Sequence, residues 1–330
     1  MPNDTMVDIL VQRVVIKVNK TTPMRQVIGM GETILDILFE NDQPQTAVPG
    51  GSVFNSLVSL GRAQANVAFI SELGDDNVGH VIRRFMDKNN ISTQYMDTTP
   101  KAKSPISLAF LDSKGDAHYS FYKDYTHQNL KTTLPEIHPD DIVIFGSYYA
   151  LNPALRQRTK EIIEYAKEKG AIIYYDPNFR DAHANELPQL LPSIIENLND
   201  ADIVRGSEED FYNIFALTDP QKIYKEHIKP KCPLFITTLG PKGALLQTPT
   251  FSQLVEGKSI EVKSTIGAGD NFNAGLIYGL LKQSIKKQDL PLLDPKEWIR
   301  LINHGIDFSA NVCQNYNNYI SLSFVKNYIK

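Results

Sequence analysis

The 330-residue sequence is poor in cysteine and lacks any long apolar run. Its two cysteines, Cys232 and Cys313, exclude a disulfide framework and favour a reducing, cytoplasmic compartment. A bilayer span needs about 18–20 consecutive apolar residues, and no stretch of the chain approaches that length. We therefore expect a cytoplasmic protein that does not bind membranes.

The sequence also lacks a large excess of charge of either sign. It has 34 basic and 38 acidic residues, for a net charge of -4, so nothing in the totals indicates a surface for nucleic acid or anionic lipid. Apolar residues make up 42% and charged residues 22%, which are the proportions of a globular protein. A chain of this length can fold as one large α/β domain.

Residues 1–23 differ from the rest of the chain. Acidic residues Asp4 and Asp8 come first and further polar residues interrupt the apolar ones, so a secretory signal is not supported. The segment is either a short accessory strand or an artefactual extension before a true start at Met24. We treat 1–23 as an N-terminal extension and 24–330 as a single domain.

After Met24, short apolar runs alternate with segments of helical period. The predicted strands include Gln26–Met30, Val67–Ser71, Ile142–Phe145, Ala171–Tyr175, Ile203–Val204, Leu234–Thr238, Gly243–Gln247 and Ile260–Lys263. The predicted helices include Asn77–Lys88, capped by Asp76, and Leu155–Lys169, Asp270–Lys282 and Pro295–Cys313. Apolar strands separated by helices predict a mostly parallel sheet covered on both faces, whose ligands bind at the carboxyl ends of the strands.

One β-rich region interrupts this alternation. Residues Ser104–Tyr125 contain two strand-like runs, Ile106–Leu111 and Ala117–Tyr122, joined by a turn-like segment. This hairpin is either an extra edge hairpin or a lid over the site, and residues 37–48 are expected to add to it.

The segment with the clearest chemistry runs from Ser264 to Gly275. Its glycines Gly267 and Gly269 let backbone amides converge, and the predicted helix start adds unpaired N–H groups, which suits a phosphate. Asp270 follows directly, where a carboxylate can take a proton from an attacking hydroxyl. A glycine turn with an Asp N-cap explains the same spacing. A P-loop and a complete dinucleotide-binding glycine motif are both absent, and the seven histidines show no metal-ligand spacing with the cysteines.

These residues resemble the ribokinase-like (PfkB) carbohydrate kinases, and within them the fructokinases are most similar. Six ordered blocks carry the resemblance, which covers about residues 26 to 312: Gly31–Asp36, Pro49–Asn55, Leu73–Gly79, Asp176–Arg180, Thr238–Gly243 and Ser264–Gly275. The resemblance implies a three-layer α/β sandwich with a small β lid, and a magnesium- and ATP-dependent sugar kinase.

The resemblance also implies roles for individual residues. Asp270 would be the base, and the amides of Gly267, Ala268 and Gly269 would hold the developing charge. The expected substrate-binding residues are Asp36, Gly50, Gly51, Asn55, Tyr122, Lys123, Asp176, Asn178 and Arg180. The expected nucleotide-binding residues are Ser207, Asp210, Thr238, Gly240, Gly243 and Thr265. Metal ligands stay unassigned.

Structural alternatives exist for several of these residues. Asp176 and Asn178 flank a proline and could form only an Asx turn. Ser207 and Asp210 have the spacing of a helix capping box, which competes with a magnesium–phosphate role. Ser264 stands where many relatives have an aspartate associated with a monovalent cation, which puts potassium activation in doubt.

The leading hypothesis is an ATP-dependent kinase that converts fructose to fructose 6-phosphate. A 2-keto-3-deoxygluconate kinase and a ribokinase or nucleoside kinase are the alternatives within the class. Outside it, the chain could be a sugar- or nucleotide-binding regulator on the kinase scaffold. The resemblance further implies a homodimer formed through the lid.

Overall fold

The computed structural model describes residues 25–111, 117–123 and 130–329, so the 1–23 extension and the turn of the predicted hairpin lie outside the described residues. The strands are β1 (Gln26–Met30), β2 (Ile34–Glu40), β3 (Gln43–Gly50), β4 (Asn66–Gly74), β5 (Ile91–Ser92), β6 (Met96–Thr99), β7 (Ile106–Leu111), β8 (Ala117–Tyr122), β9 (Ile142–Gly146), β10 (Ile172–Asp176), β11 (Ile203–Ser207), β12 (Leu234–Thr238), β13 (Ala244–Gln247) and β14 (Ser252–Val255).

The helices alternate with these strands along the chain. They are α1 (Ser52–Arg62), α2 (Asn77–Lys88), α3 (Arg156–Glu168), α4 (Leu187–Asp200), α5 (Glu208–Phe215), α6 (Pro220–Ile223), α7 (Ala268–Lys282), α8 (Pro295–Cys313) and α9 (Leu322–Tyr328). Among the described residues, none of these helices combines the length and the apolar character that a membrane span requires.

The main sheet has the strand order β14-β13-β12-β11-β10-β9-β1-β4-β5, with β6 also paired to β4. The strands from β12 through to β5 pair in parallel, whereas β13 and β14 add an antiparallel edge. The predicted parallel sheet is therefore confirmed.

Both faces of this sheet are buried. Alternate strand residues point to opposite sides, so Val27 packs in one core with α1, α2, α7 and α8, and Ile28 packs in the other with α3, α4 and α5. All residues of β9 and β10 are buried, as expected for strands covered by helices on both faces. The result is a three-layer sandwich.

A second, smaller sheet has the strand order β3-β2-β7-β8. The two strands of the predicted hairpin are β7 and β8, and they are antiparallel, while β2 and β7 are parallel. Residues 37–48 fall within β2, β3 and the turn between them, so this segment lies in the same sheet as the hairpin.

One strand prediction is wrong. The run Ile260–Lys263 forms no strand, and the edge strand lies earlier, at β14. The side chain of Val262 is 56% exposed, and the Lys263 amide donates to the carbonyl of Cys313 at the end of α8. The apolar residues of this run therefore do not pair with the sheet. Strand β14 forms the edge of the sheet instead.

Candidate active site

The glycine turn before α7 presents free backbone amides. Gly267 has a φ of 77°, a conformation that favours glycine, and it is the residue before the first turn of α7. Within the described residues, the N–H groups of Gly267, Gly269 and Asp270 have no hydrogen-bond acceptor, whereas Ala268 donates to the Thr265 carbonyl at 3.2 Å. The turn can therefore bind an anion, but the Ala268 amide that was expected to contribute is already engaged.

Asp270 lies in the first turn of α7 and is only 8% exposed. Its Oδ1 accepts a hydrogen bond from Ser52 Oγ at 3.0 Å, and its Oδ2 accepts one from Asn55 Nδ2 at 2.8 Å. Burial raises the pKa of Asp270 to about 6, with a further increase from the charge of Asp176, and the two hydrogen bonds oppose this rise. A carboxyl group with such a pKa can act as a general base near neutral pH.

The pH dependence of activity tests this environment. The base must be deprotonated to accept a proton, so kcat/KM for the sugar should rise as the pH increases through about 6 and then level off. In Ser52→Ala, which removes a hydrogen bond to the charged form, the midpoint should move to higher pH. Rates measured across pH at saturating ATP will check this, with Ser92→Ala on the edge strand β5 as the control. A midpoint that does not respond to Ser52→Ala would contradict the assignment.

The position of α1 brings Ser52 and Asn55 to Asp270. The helix begins after Gly51, whose φ is 134°, and a Cβ there would lie 2.4 Å from the carbonyl oxygen of Glu32. Asn55 is buried, and its Oδ1 makes no hydrogen bond with the described residues. The Nδ2 group of Asn55 holds the Asp270 carboxylate, and the sugar contact expected for Asn55 stays a prediction.

Asp36 and Gly50 lie beside each other on the small sheet. Ser107 Oγ donates to Asp36 Oδ1, and a Cβ on Gly50 would lie 2.5 Å from Asp36 Oδ2. Burial raises the pKa of Asp36, while the hydrogen bond from Ser107 opposes this effect. A carboxylate oxygen of Asp36 thus lies beside the backbone of Gly50, which has no side chain. This arrangement suits a substrate hydroxyl.

The strand register corrects the expectation for Tyr122. Asp36 is paired with Ser107, and Ser107 is paired with Phe121, so these three side chains share one face of the small sheet. Tyr122 is the next residue along β8 and points to the opposite face. The following residue, Lys123, forms an ion pair with Glu32 at 2.8 Å, so its ammonium group lies at the end of β1.

Asp176 belongs to a buried network and is not open to a ligand. Its Oδ2 accepts hydrogen bonds from Arg205 Nη1 at 2.9 Å and Asn273 Nδ2 at 2.6 Å. Its Oδ1 accepts the amide of Asn178 at 3.1 Å, so the Asx turn is present. Asp176 is 2% exposed, and both of its carboxylate oxygens accept hydrogen bonds from the protein. The substrate contact expected for Asp176 is therefore not found in this geometry.

Arg205 is a buried residue beside the glycine turn that the sequence analysis did not single out. It is 4% exposed, and besides Asp176 it donates to Thr238 Oγ1 at 2.7 Å. A Cβ on Gly269 would lie 2.8 Å from Arg205 Nη1, so the guanidinium packs under the glycine turn. The available signal was an arginine within the otherwise buried strand β11, since a charge in such a strand must find a partner.

Arg180 and Asn178 lie at the open side of the site. Arg180 is exposed, makes no ion pair with the described residues, and its charge lowers the pKa of Asp270. Asn178 has a φ of 38°, which is in the left-handed region. Arg180 therefore offers a cation near Asp270, and its contact with a phosphate or a sugar stays a prediction.

The residues predicted to bind the nucleotide differ in how far their side chains are already engaged by the protein. Ser207 Oγ accepts the Asp210 amide at 3.1 Å and Asp210 Oδ2 accepts the Ser207 amide at 2.7 Å, so the capping-box alternative is present and these two side chains are engaged with each other. By contrast, Thr265 is exposed, and Gly240, with a φ of 56°, has open space on its Cβ side. At Gly243, a Cβ would lie 2.0 Å from the Val255 carbonyl oxygen, which limits this position to a turn glycine.

No cluster of three or more His, Cys, Asp or Glu side chains suited to a metal ion occurs in the described ranges. Asp210 is closed into its capping box and Asp176 into its network. Mg²⁺ commonly takes one or two carboxylates together with substrate phosphates, so its protein ligands stay unassigned.

Comparison with known proteins places this geometry in a wider context. Residues 27–303 match the pfkB family of carbohydrate kinases. The chain is 28% identical over 287 residues to the probable chloroplastic fructokinase-6 of Arabidopsis thaliana, covering 83% of this chain and 73% of the relative.

Two solved structures share the fold of this chain. The first is a fructokinase double mutant from Vibrio cholerae O395 in fructose-, ADP- and potassium-bound form, with a TM-score of 0.80, 21% identity, and coverage of 93% of this chain and 99% of that one. The second is the aminoimidazole riboside kinase of Salmonella enterica, complexed with aminoimidazole riboside and an ATP analog. Its TM-score is 0.76, with 21% identity and coverage of 92% of this chain and 100% of that one.

Proposed function

Because the chain belongs to the pfkB family of carbohydrate kinases, we propose that it is an ATP-dependent fructokinase that forms fructose 6-phosphate. The observation that carries the proposal is the position of Asp270. Its buried carboxylate, with a pKa of about 6, lies in the first turn of the helix whose free amides can bind a phosphate. A base and an anion site at one helix end suit phosphoryl transfer to a hydroxyl.

In the proposed reaction, Asp270 takes the proton of the sugar's primary hydroxyl, and the hydroxyl oxygen attacks the γ-phosphorus of ATP. The bond from that phosphorus to the bridging oxygen breaks, and ADP leaves. Ser52 and Asn55 hold the carboxylate in place, and the amides of Gly267 and Gly269 stabilise the charge that develops on the phosphoryl oxygens. Asp36 and Gly50 bind the sugar, and Arg180 attracts the phosphate or sugar oxygens.

ATP would bring Mg²⁺ as its counter-ion, and this ion would neutralise phosphate charge. We assign it no protein ligands, since Asp176 and Asp210 are already engaged with protein groups. Gly240, Gly243, Thr238 and Thr265 line the side on which the nucleotide would lie, because they surround the carboxyl end of β12 and the start of α7.

The substrate proposal predicts a clear preference. Hydroxyl-binding groups such as Asp36 suit a neutral ketohexose, and a sugar that leaves them unpaired loses affinity. We expect kcat/KM for D-fructose to exceed that for 2-keto-3-deoxygluconate, ribose and adenosine by at least about tenfold. ADP release measured across this panel, with aminoimidazole riboside added, will test it.

The alternatives give different results in the same assay. A better rate with 2-keto-3-deoxygluconate, or with ribose or a nucleoside, would replace fructose but keep the kinase assignment. Sugar or nucleotide binding without ADP release from any acceptor would favour a regulator on the kinase scaffold.

Potassium is expected to have a weak effect on this enzyme. The related Vibrio cholerae structure holds potassium, but Ser264 replaces the aspartate that many relatives carry, and its Oγ accepts the amide of Ile266 at 3.2 Å. The position therefore lacks a hard anionic ligand. Kinetics in potassium and in tetramethylammonium at equal ionic strength should differ little, and the variant Ser264→Asp should gain a response. Strong stimulation of the unmodified enzyme by potassium would refute this.

We further propose that residues 24–330 act as one kinase domain in the cytoplasm and form a homodimer through the small sheet. The face of this sheet opposite Asp36 carries partly or largely exposed apolar side chains, among them Ile37, Phe39, Leu108, Phe110 and Tyr122. The rings of Phe39 and Phe110 stack with centroids 4.8 Å apart. A second copy of the chain would cover this apolar face.

A further inference from the structure

The segment that connects α8 to α9 lies against the glycine turn and also reaches Gly50. The carbonyl of Asn318 accepts a hydrogen bond from Asn271 Nδ2 at 2.8 Å, and its Cα would lie 3.2 Å from a Cβ placed on Gly267. The backbone of Asn318 is thus fixed against the glycine turn, although Asn318 is far from that turn in sequence.

The residues after Asn318 hold the segment firmly. The Ile320 amide donates to Ser59 Oγ at 3.1 Å, and the Ile320 carbonyl accepts from Arg62 Nη1 at 2.7 Å. Tyr319 is 3% exposed, and the Arg62 guanidinium lies 4.6 Å from the centre of its ring. Two residues of α1 therefore position the segment, and the Asn318 side chain has a defined direction.

That side chain points toward the sugar side of the site. Its Nδ2 lies 3.6 Å from the Cβ position of Gly50, the same point that is 2.5 Å from Asp36 Oδ2. Asn318 is half-buried, and its side-chain amide makes no hydrogen bond with the described residues. A carboxylate acceptor and an unpartnered amide donor thus flank the bare backbone of Gly50.

We propose that Asn318 is a substrate-binding residue that, together with Asp36, recognises one sugar hydroxyl. A hydroxyl donates one hydrogen bond and accepts others, so it can donate to Asp36 Oδ2 while accepting from Asn318 Nδ2. This inference rests on the proposed function, because it assigns the Gly50 side of the site to the acceptor sugar. The segment between α8 and α9 then contributes to the sugar specificity of the enzyme.

The geometry also says what Asn318 does not do. Its backbone, and not its side chain, faces the glycine turn where the phosphate would bind. Loss of the side-chain amide should therefore change the kinetics of the sugar and leave the KM for ATP unchanged. This distinguishes a sugar contact from a contact with the transferred phosphate.

The test compares Asn318→Ala and Asn318→Asp with the exposed neighbour variant Asn317→Ala. Losing one hydrogen bond should lower kcat/KM for D-fructose about tenfold in Asn318→Ala. Asn318→Asp should lose at least as much, since it places a second carboxylate beside Asp36. Asn317→Ala should match the unmodified enzyme. Both Asn318 variants should keep their melting temperatures, because the carbonyl of Asn318 makes the structural contact.

A series of monodeoxy fructoses completes the test. The sugar that lacks the recognised hydroxyl should be a poor substrate for the unmodified enzyme, and its disadvantage relative to fructose should shrink in Asn318→Ala. Unchanged fructose kinetics in Asn318→Ala, or a change confined to the KM for ATP, would overturn the proposal. If the unmodified enzyme instead prefers another panel sugar, the fructose assignment fails. The Asn318 comparison is then decided with that sugar by the same criteria.

Discussion

Replacement of Asp270 by asparagine is expected to lower kcat about 10²–10⁴-fold, because the hydroxyl of the sugar then loses its general base. The change conserves the shape of the side chain. Asn55 can turn its amide to present its unpartnered Oδ1 to the new Nδ2 group. Folding should therefore be retained, and ATP should still bind at the free amides of the glycine turn.

The measurement is the steady-state rate of ADP release, together with the dissociation constant for ATP from calorimetry. Asp200→Asn is the matched control, because this carboxylate ends α4 at the opposite edge of the sheet and, among the described residues, pairs with Lys167 alone. It should leave kcat unchanged. Near-normal turnover by folded Asp270→Asn protein would remove Asp270 from the role of base.

Replacement of Arg205 by methionine is expected to cost about 3–5 kcal/mol of the free energy of unfolding, because it leaves the buried carboxylate of Asp176 without its cation. Both side chains of this ion pair are at most 5% exposed. The same change frees Thr238 Oγ1 and empties the space beneath Gly269. Activity should fall as well, since the glycine turn loses its support.

Urea unfolding will measure the loss in the free energy of unfolding, with the m-value of each variant compared with that of the unmodified protein. Lys167→Met breaks the partly exposed ion pair with Asp200 and should cost less than about 1 kcal/mol. Adding Asp176→Asn to Arg205→Met should recover part of the stability, because the side chain at position 176 is then no longer a buried, unpaired charge. A loss in Arg205→Met no larger than that in Lys167→Met would contradict the account of a buried charge network.

Local patterns identified most of the secondary structure. Helix α2 matches its predicted bounds, and Asp76 caps it by accepting the amide of Gly79. Strands β1 and β12 also match theirs. Capping and apolar periodicity act within a few residues, so they can be read directly from the chain.

The glycine turn could be located from the sequence for the same reason. Gly267 and Gly269 and the helix after them are consecutive in the chain, and the structure places Asp270 beside the free amides. The sequence also offered both possibilities for Ser207 and Asp210, and the capping box is a local contact that follows from their spacing.

The pairings across the site depended on the tertiary structure. Asn55 and Asp270 are 215 positions apart, and Arg205 and Asp176 are 29 apart. The order of the strands decides which side chains meet at the carboxyl edge of the sheet. No local pattern specifies that order, so the network of Asp176 and Arg205 could not be predicted.

Strand register decided two further points. Side chains alternate between the faces of a strand, so one position along β8 separates Phe121, on the face of Asp36, from Tyr122 on the other. The path of the segment after α8 likewise brings Asn318 to Gly50. Sequence by itself determined helices such as α2, most strands of the main sheet and the glycine turn, because hydrogen bonding and apolar burial there act over short distances. Only the packed sheet decided which distant side chains share the site, because that depends on strand order and register.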